Sequence, residues 1–440
     1  MVESTFKTGT AFHALALSGM LALAALPARA VNLVGMGDSI GEGVSAADAA
    51  WQTQVFSYIA WVGYQMGAGA KLPLIQTTLF GAVGDVTGRN RLSPAMIPTN
   101  VAVSGATVHS LLNDRSAAAT PDQAASETDL VLMPRQQTQI EYAESVAPEL
   151  ILCWIGNNDA LGAATSFSQL DASQLTPLAS FDKDYVELAD RLKALIAGGS
   201  KVVFANLPDV TKIGFLVNRS DAESFLGFPV NLPDGDFTTI VAMLLMGIAG
   251  NDNLISDPNF VLDSSEVASV NARIAQFNQV IQREADRLGM PVVDVHGIFD
   301  NLVATPPNIL GFTLRNRFLG GLFSLDGVHP STVGHALLAN EFIRTIDSAF
   351  NMNVPLIDDS TIVYLFLLDP HIDKDGDHQV TGRFGVGLLE TLGLLYGITG
   401  DPNDFSAAPT VLPQIAAAPS SGATDSDWAA LLSAALKGVR

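Results

Sequence analysis

The chain has one cysteine, Cys153, in 440 residues, so no internal disulfide framework can hold it and packing must supply its stability. Basic residues are scarce: 23 Lys and Arg stand against 45 Asp and Glu, a formal net charge of −22. A surface of that sign repels phosphate backbones and anionic headgroups, which sets aside nucleic acid and acidic lipid surfaces as partners. Charged residues of either sign reach only 15%, against 48% hydrophobic residues; that balance excludes general disorder and predicts a large buried core. Long apolar runs are also missing. Beyond residue 30 none approaches the roughly 20 residues of a membrane-spanning helix, the nearest being Ile240 to Ala249. No internal repeat or low-complexity tract is evident.

What is present begins with a segment built for export. Lys7 precedes an apolar run from Ala14 to Leu26, followed by Pro27 and the small-residue site Ala28-Arg29-Ala30, the order of a secretory signal with its cleavage site. Residues 1–30 are therefore expected to be removed and the protein to be exported; a membrane anchor is the alternative, disfavoured because the run is short. Five short apolar runs bounded by turn residues read as buried parallel strands: Val31 to Met36, Asn100 to Val103, Leu150 to Ile155, Lys201 to Asn206 and Pro291 to Val295. Between them lie helical patterns, at Ala47 to Met66 (Trp51, Val55, Ile59, Val62, Met66), Tyr185 to Ile196 and Glu266 to Leu288. Strands alternating with helices predict an open α/β sheet covered on both faces. Cys153 falls inside the third run, where a buried, inert thiol is expected.

Two stretches exceed this minimal plan. Residues 71–99 read as a long loop with scattered Gly and Pro. Residues 211–263 form a cap-like insertion containing a helix candidate from Phe237 to Ala249, apolar on every side, which must either cover an apolar site or sit in the core. Beyond about residue 352 the pattern becomes Gly-rich and loop-like. The expected organisation is thus a signal segment (1–30), a main domain (31–352) and a C-terminal extension (353–440).

Four segments carry chemistry. Gly37-Asp38-Ser39 follows the first strand and opens a glycine-containing turn, the kind of junction that exposes a hydroxyl and offers backbone N–H groups to an oxyanion; alone, it equally fits a capped surface turn. Asp326-Gly327-Val328-His329-Pro330 places an acid and an imidazole three residues apart, so that they can meet at one bend, as a base and its orienting carboxylate must. His335 competes for that role, but it lies at a helix start with no acid at the same offset and reads as structural. Gly156-Asn157-Asn158-Asp159 puts side-chain amides at a strand end, where one can donate to developing negative charge. Ser104-Gly105 follows the second run, where glycine permits close approach of a backbone N–H.

Together, in this order, the four segments resemble the blocks of the SGNH hydrolase superfamily, the GDSL-like lipases and esterases, over about Val31 to Phe350. The resemblance implies Ser39 as nucleophile, His329 as base and Asp326 as its orienting acid, with an oxyanion hole made of the Ser39 and Gly105 N–H groups and the Asn158 amide. Leu207-Pro208-Asp209 also looks like the longer, lipase-like branch. Ile40 stands where the name-giving block has leucine, a volume-conserving exchange. The fold so implied is a flavodoxin-like three-layer α/β sandwich with strand order 2-1-3-4-5.

The expected activity is cleavage of carboxylic esters through an acyl-enzyme, on a small-molecule or lipid ester, with the apolar insertion favouring acyl chains as in a lipase. A carbohydrate O-acetyl esterase or a thioesterase is the alternative. No cofactor is required. Calcium is the one candidate ion, because Asp373, Asp375 and Asp377 are similar to the start of an EF-hand or dockerin loop. The match breaks where His378 replaces the glycine and Phe384 the closing acid, so a solvated acidic turn is the favoured reading. A calcium-dependent surface-binding protein on a hydrolase scaffold is the reading from another class; the Asp373 loop supports it and the complete set of catalytic residue types argues against it, whereas Ser39 and His329 lying far apart would overturn the enzyme reading.

Overall fold

A computed structural model describes residues 33–67, 69–76, 90–165, 174–374 and 380. The signal-like segment 1–30 and most of the C-terminal extension lie outside the described residues.

Four of the expected runs form one parallel sheet: β1 (Leu33–Gly37), β2 (Leu150–Trp154), β3 (Lys201–Ala205) and β7 (Val292–Val293), in spatial order β1-β2-β3-β7. The run Asn100 to Val103 is no regular strand. It lies along the outer edge of β1 with a single parallel bridge, Gly35 to Asn100, tied by the Val101 N–H to the Gly35 carbonyl at 2.8 Å and the Val103 N–H to the Gly37 carbonyl at 3.1 Å. Residues of β1 and β2 are buried throughout, as apolar strands covered on both faces must be.

Alternation along the strands assigns the two helical layers. Trp154, ending β2, packs with Tyr58 (ring centroids 5.8 Å apart), which stacks on Phe342 at 4.5 Å, joining helices Tyr58–Gln65 and Thr332–Phe350 over one face. Phe204 of β3 meets Tyr185, and Phe181 stacks on Phe277 at 3.9 Å, joining helices Leu178–Ala197 and Ser264–Leu288 over the other. The single helix expected over Ala47 to Met66 is broken into Trp51–Gln54 and Tyr58–Gln65, because the Ser57 hydroxyl accepts from the Ala60 N–H and starts a new helix there.

Insertion 211–263 holds its own antiparallel sheet: β4 (Leu216–Val217), β5 (Phe237–Thr239) and β6 (Val261–Leu262), in order β4-β5-β6. The helix expected from Phe237 therefore begins later. Thr239 caps it by accepting from the Ala242 N–H, and it runs Ile240–Ala249. After the main domain, helix Asp359–Leu368 packs on Thr332–Phe350, fastened by the Thr332 N–H to Asp369 at 2.9 Å and by the Asn340 side chain to both backbone groups of Ile357.

Candidate active site

In-register pairing of Gly37 with Trp154 brings the turns after β1 and β2 out side by side at the carboxyl edge of the sheet, where open α/β folds place their ligands. Gly37 is clamped by Gln139, whose amide oxygen accepts from the Gly37 N–H and whose nitrogen donates to the Gly37 carbonyl, both at 2.9 Å. Asp38 then caps the four-residue helix Ser39–Glu42 by accepting from the Ile40 N–H at 3.0 Å, while its other oxygen accepts from Asn157 Nδ2 at 2.9 Å. Burial pushes the Asp38 carboxyl up to about 6, against the pull of those two donors and of His329.

Ser39 sits at the head of this helix, 8% exposed. With Nδ1 protonated, His329 donates to Asp326 Oδ2 at 2.8 Å, and its Nε2 accepts from Ser39 Oγ at 2.7 Å. Asp326 is 1% exposed. Its Oδ1 accepts from the N–H groups of Val328 and His329, each at 2.8 Å, and its Oδ2 also accepts from the Ala47 N–H at 2.6 Å. Burial alone raises its carboxyl, but the charge and hydrogen bonds of His329 and the Val328 N–H outweigh that and hold it below the ordinary carboxylate range. The bend needs glycine at 327: its φ is +69°, and a Cβ there would lie 2.5 Å from the Phe215 nitrogen. Ser324 fixes the far side, its hydroxyl donating to the His329 carbonyl at 3.0 Å and accepting from the Ala46 N–H at 2.8 Å. The arrangement can take a proton from a serine hydroxyl and stabilise the resulting imidazolium.

The expected oxyanion donors occupy the adjoining turns. Gly105 has φ +76°, with nothing within 4 Å of where a Cβ would stand. Neither its N–H nor that of Ser39 donates to a backbone acceptor among the described residues. Asn158 gives one amide hydrogen to the Ala106 carbonyl at 2.9 Å, which leaves the second of its two. The Gly105 loop is tied at both ends: the Ser104 N–H and Oγ reach Glu42 Oε2 at 2.7 and 2.5 Å, and the Val108 N–H reaches Asp159 Oδ2 at 3.0 Å.

Beside these turns lies an apolar cavity of about 140 Å³, whose walls include Ile40, Asn157 and Val328, the chain neighbours of Ser39, Asn158 and His329, together with Leu207, Ile298 and Leu302. No residue of helix Ile240–Ala249 lines it. That helix instead presses Ile240 against Gly327, and its Met243 lines a separate cavity of about 340 Å³ with Phe225, Arg315 and Arg317. The apolar walls instead include Ile298 and Leu302 of helix Val295–Ala304 and Leu337 and Leu338 of helix Thr332–Phe350, with Ile213 the contribution of the insertion.

The remaining candidates separate clearly. His335 is buried inside helix Thr332–Phe350, and burial pushes it down to about 3, so it stays neutral. Cys153 is fully buried in β2 with its thiol pushed up to about 12 by burial, which leaves it inert. Of the calcium candidates, Asp373 is buried, while Asp375 and Asp377 lie outside the described residues. Among the described residues no group of three His, Cys, Asp or Glu side chains is arranged to hold a metal ion. Four residues at the site were not anticipated: Glu42, Gln139, Asn157 and Ser324. Only Asn157 carried a signal, its place beside Asn158.

A family model, GDSL-like Lipase/Acylhydrolase, matches residues 33–342. No curated protein matches. Among solved structures, the chain is similar to an α/β hydrolase from the metagenome of Lake Arreo, Spain, at 16% identity, with 72% of this chain and 95% of that one covered and a TM-score of 0.37. It is also similar to an acetylxylan esterase from Geobacillus stearothermophilus at 14% identity, covering 76% and 98%, with a TM-score of 0.36. A third is the acetyl xylan esterase AlAXEase, at 15% identity, covering 71% and 98%, with a TM-score of 0.34.

Proposed function

Since the chain belongs to the GDSL-like lipase/acylhydrolase family and is a carboxylic ester hydrolase, we propose that it works as an exported serine esterase on acyl esters, through Ser39, His329 and Asp326. The observation that carries this reading is the unbroken chain from Ser39 Oγ to His329 Nε2 at 2.7 Å and from His329 Nδ1 to Asp326 at 2.8 Å.

Ser39 Oγ attacks the ester carbonyl carbon as His329 Nε2 takes its proton, and the carbonyl π electrons move onto oxygen. The resulting oxyanion is held by the Ser39 and Gly105 N–H groups and by the free hydrogen of the Asn158 amide. His329 returns the proton to the alcohol oxygen, which leaves and generates the acyl-enzyme. Water, deprotonated by the same nitrogen, then releases the acid and restores Ser39. No cofactor enters this scheme. Export rests on the segment 1–30; no helix among the described residues is long and apolar enough to cross a membrane.

The cavity of about 140 Å³ is close to the roughly 150 Å³ of an apolar cavity that accepts benzene, which supports short to medium acyl chains over long ones. Hydrolysis of p-nitrophenyl acetate, butyrate, octanoate and palmitate by wild type and Ser39→Ala tests the reading. The expected result is a maximum at butyrate or octanoate, no effect of a calcium chelator, and a loss in Ser39→Ala of order 10⁶-fold. Activity confined to acetate would instead favour a carbohydrate O-acetyl esterase, and preference for an acyl thioester a thioesterase.

A further inference from the structure

The helix that carries Ser39 ends, one turn later, in Glu42, and Glu42 reaches across 62 positions of sequence to the Gly105 loop. Its side chain is fully buried. One oxygen, Oε2, accepts both donors of Ser104, the backbone N–H at 2.7 Å and the hydroxyl at 2.5 Å. The Gly105 N–H belongs to the planar peptide joining Ser104 to Gly105; Glu42 holds the preceding peptide through the Ser104 N–H, holds the Ser104 side chain through its hydroxyl, and so fixes the Ser104 Cα from which that unit starts. Glycine, with left-handed φ and open space around it, supplies no stiffness of its own to that peptide. An N–H that serves an oxyanion must already be in place when charge develops, because a displacement near 1 Å removes most of its value.

We propose that Glu42 is a positioning residue: by gripping Ser104 through both donors, it sets the Gly105 N–H against the Ser39 turn and so couples nucleophile and oxyanion hole through one short helix. The inference rests on the oxyanion role assigned to Gly105 above. Glu127, on helix Glu127–Leu132, is the acid that faces Glu42. Burial first, then the charge of Glu127 and a hydrogen bond with it, push the Glu42 carboxyl well above its ordinary range, against the donors of Ser104. These influences favour the neutral form of Glu42, in which Oε2 remains an acceptor for both donors of Ser104.

The test compares wild type with Glu42→Ala, Glu42→Gln, Ser104→Ala and Ser39→Ala. It measures kcat and KM on p-nitrophenyl butyrate, with active sites counted by titration with a phosphonate, and inhibition by a trifluoromethyl ketone that forms an anionic tetrahedral adduct. Glu42→Ala is expected to lower kcat per active site roughly 10- to 100-fold, below the loss from deleting a donor outright, with KM nearly unchanged and the inhibitor weakened by a similar factor. Glu42→Gln should recover most of that loss, since its amide oxygen can accept from Ser104 while its nitrogen donates to Glu127. An unchanged kcat per site in Glu42→Ala, or a loss confined to KM or to the number of titrated sites, would overturn the proposal. If Glu42→Ala does not fold, Ser104→Ala carries the test: it breaks the hydroxyl bond alone, is expected to cost several-fold in kcat, and an unaltered kcat sinks the idea. Activity surviving in Ser39→Ala would overturn the functional reading itself, whereas an inactive Ser39→Ala beside a fully active Glu42→Ala removes only this inference.

Discussion

Asp326 and Glu42 are both fully buried carboxyl groups, one beside the His329 imidazole and the other on the helix that begins with Ser39, yet burial is answered in opposite ways. Around Asp326 stand an imidazole and three backbone N–H groups, and its carboxyl is held below the ordinary range. Around Glu42 stand two donors from one serine and a second acid, and its carboxyl is driven well above it. Desolvation opposes the charged form in both places. What decides the outcome is whether the neighbours donate to that charge or compete with it. Asp326 is thereby shifted toward the charged form that can stabilise a cation, and Glu42 toward the neutral form.

Asp326→Asn should break the first half of this comparison most severely. An amide cannot accept from His329 Nδ1 and from all three backbone donors as the carboxylate does, so the tautomer needed by Ser39 is lost; a fall in kcat of about 10⁴ is expected, as in the corresponding change in a serine protease. Steady-state rates on p-nitrophenyl butyrate check this, and a loss under tenfold would mean that Asp326 does not orient the base.

Thermal unfolding across pH sharpens the second half. Glu42 binds its proton more tightly folded than unfolded, so wild type should lose stability relative to Glu42→Gln as pH rises from about 4.3, the ordinary glutamate value, through the raised folded value, and level off above it. Asp326 has the opposite sign. Its contribution is present above about 3.9 and lost as pH falls through the lowered folded value. A pH-independent difference between wild type and Glu42→Gln would show that Glu42 ionises as an exposed acid does.

The smallest effect is expected at the C-terminal helix. Asp358 caps helix Asp359–Leu368 by accepting from the Thr361 N–H at 2.9 Å. Asp358→Ala should cost about 1 kcal/mol, visible as a modest fall in melting temperature with kcat unchanged. A change in kcat would mean that the docked C-terminal helix communicates with the site.

Much of the site was legible because its signals are local. Gly37-Asp38-Ser39 stands at the end of an apolar run, and Asp326 and His329 are three residues apart, so their acid-base contact is a matter of one bend. The breaks came where a local pattern was overruled. A hydroxyl cap at Ser57 split an apparently continuous helix, and Asn100 to Val103, apolar enough for a strand, had only the edge of β1 to pair with. The apolar segment Ile240–Ala249 suggested a roof over the site, but hydrophobicity states only that a segment will be buried, not against what. Glu42 could not be picked out at all, since its partners Ser104 and Glu127 are 62 and 85 positions away and nothing in a glutamate two residues after Ile40 announces them.

By itself, then, the amino-acid sequence determined which reactive groups the protein has and four of the five runs it marked as strands, because side-chain chemistry and strand-end turns are properties of neighbouring residues. Only the tertiary structure decided that Ser39 and His329, 290 positions apart, stand 2.7 Å from one another, that one buried carboxyl is held below the ordinary range and another pushed above it, and that the cavity wall includes Ile298 and Leu302. Distance across the fold, desolvation and the sum of nearby donors are set by residues remote in the chain.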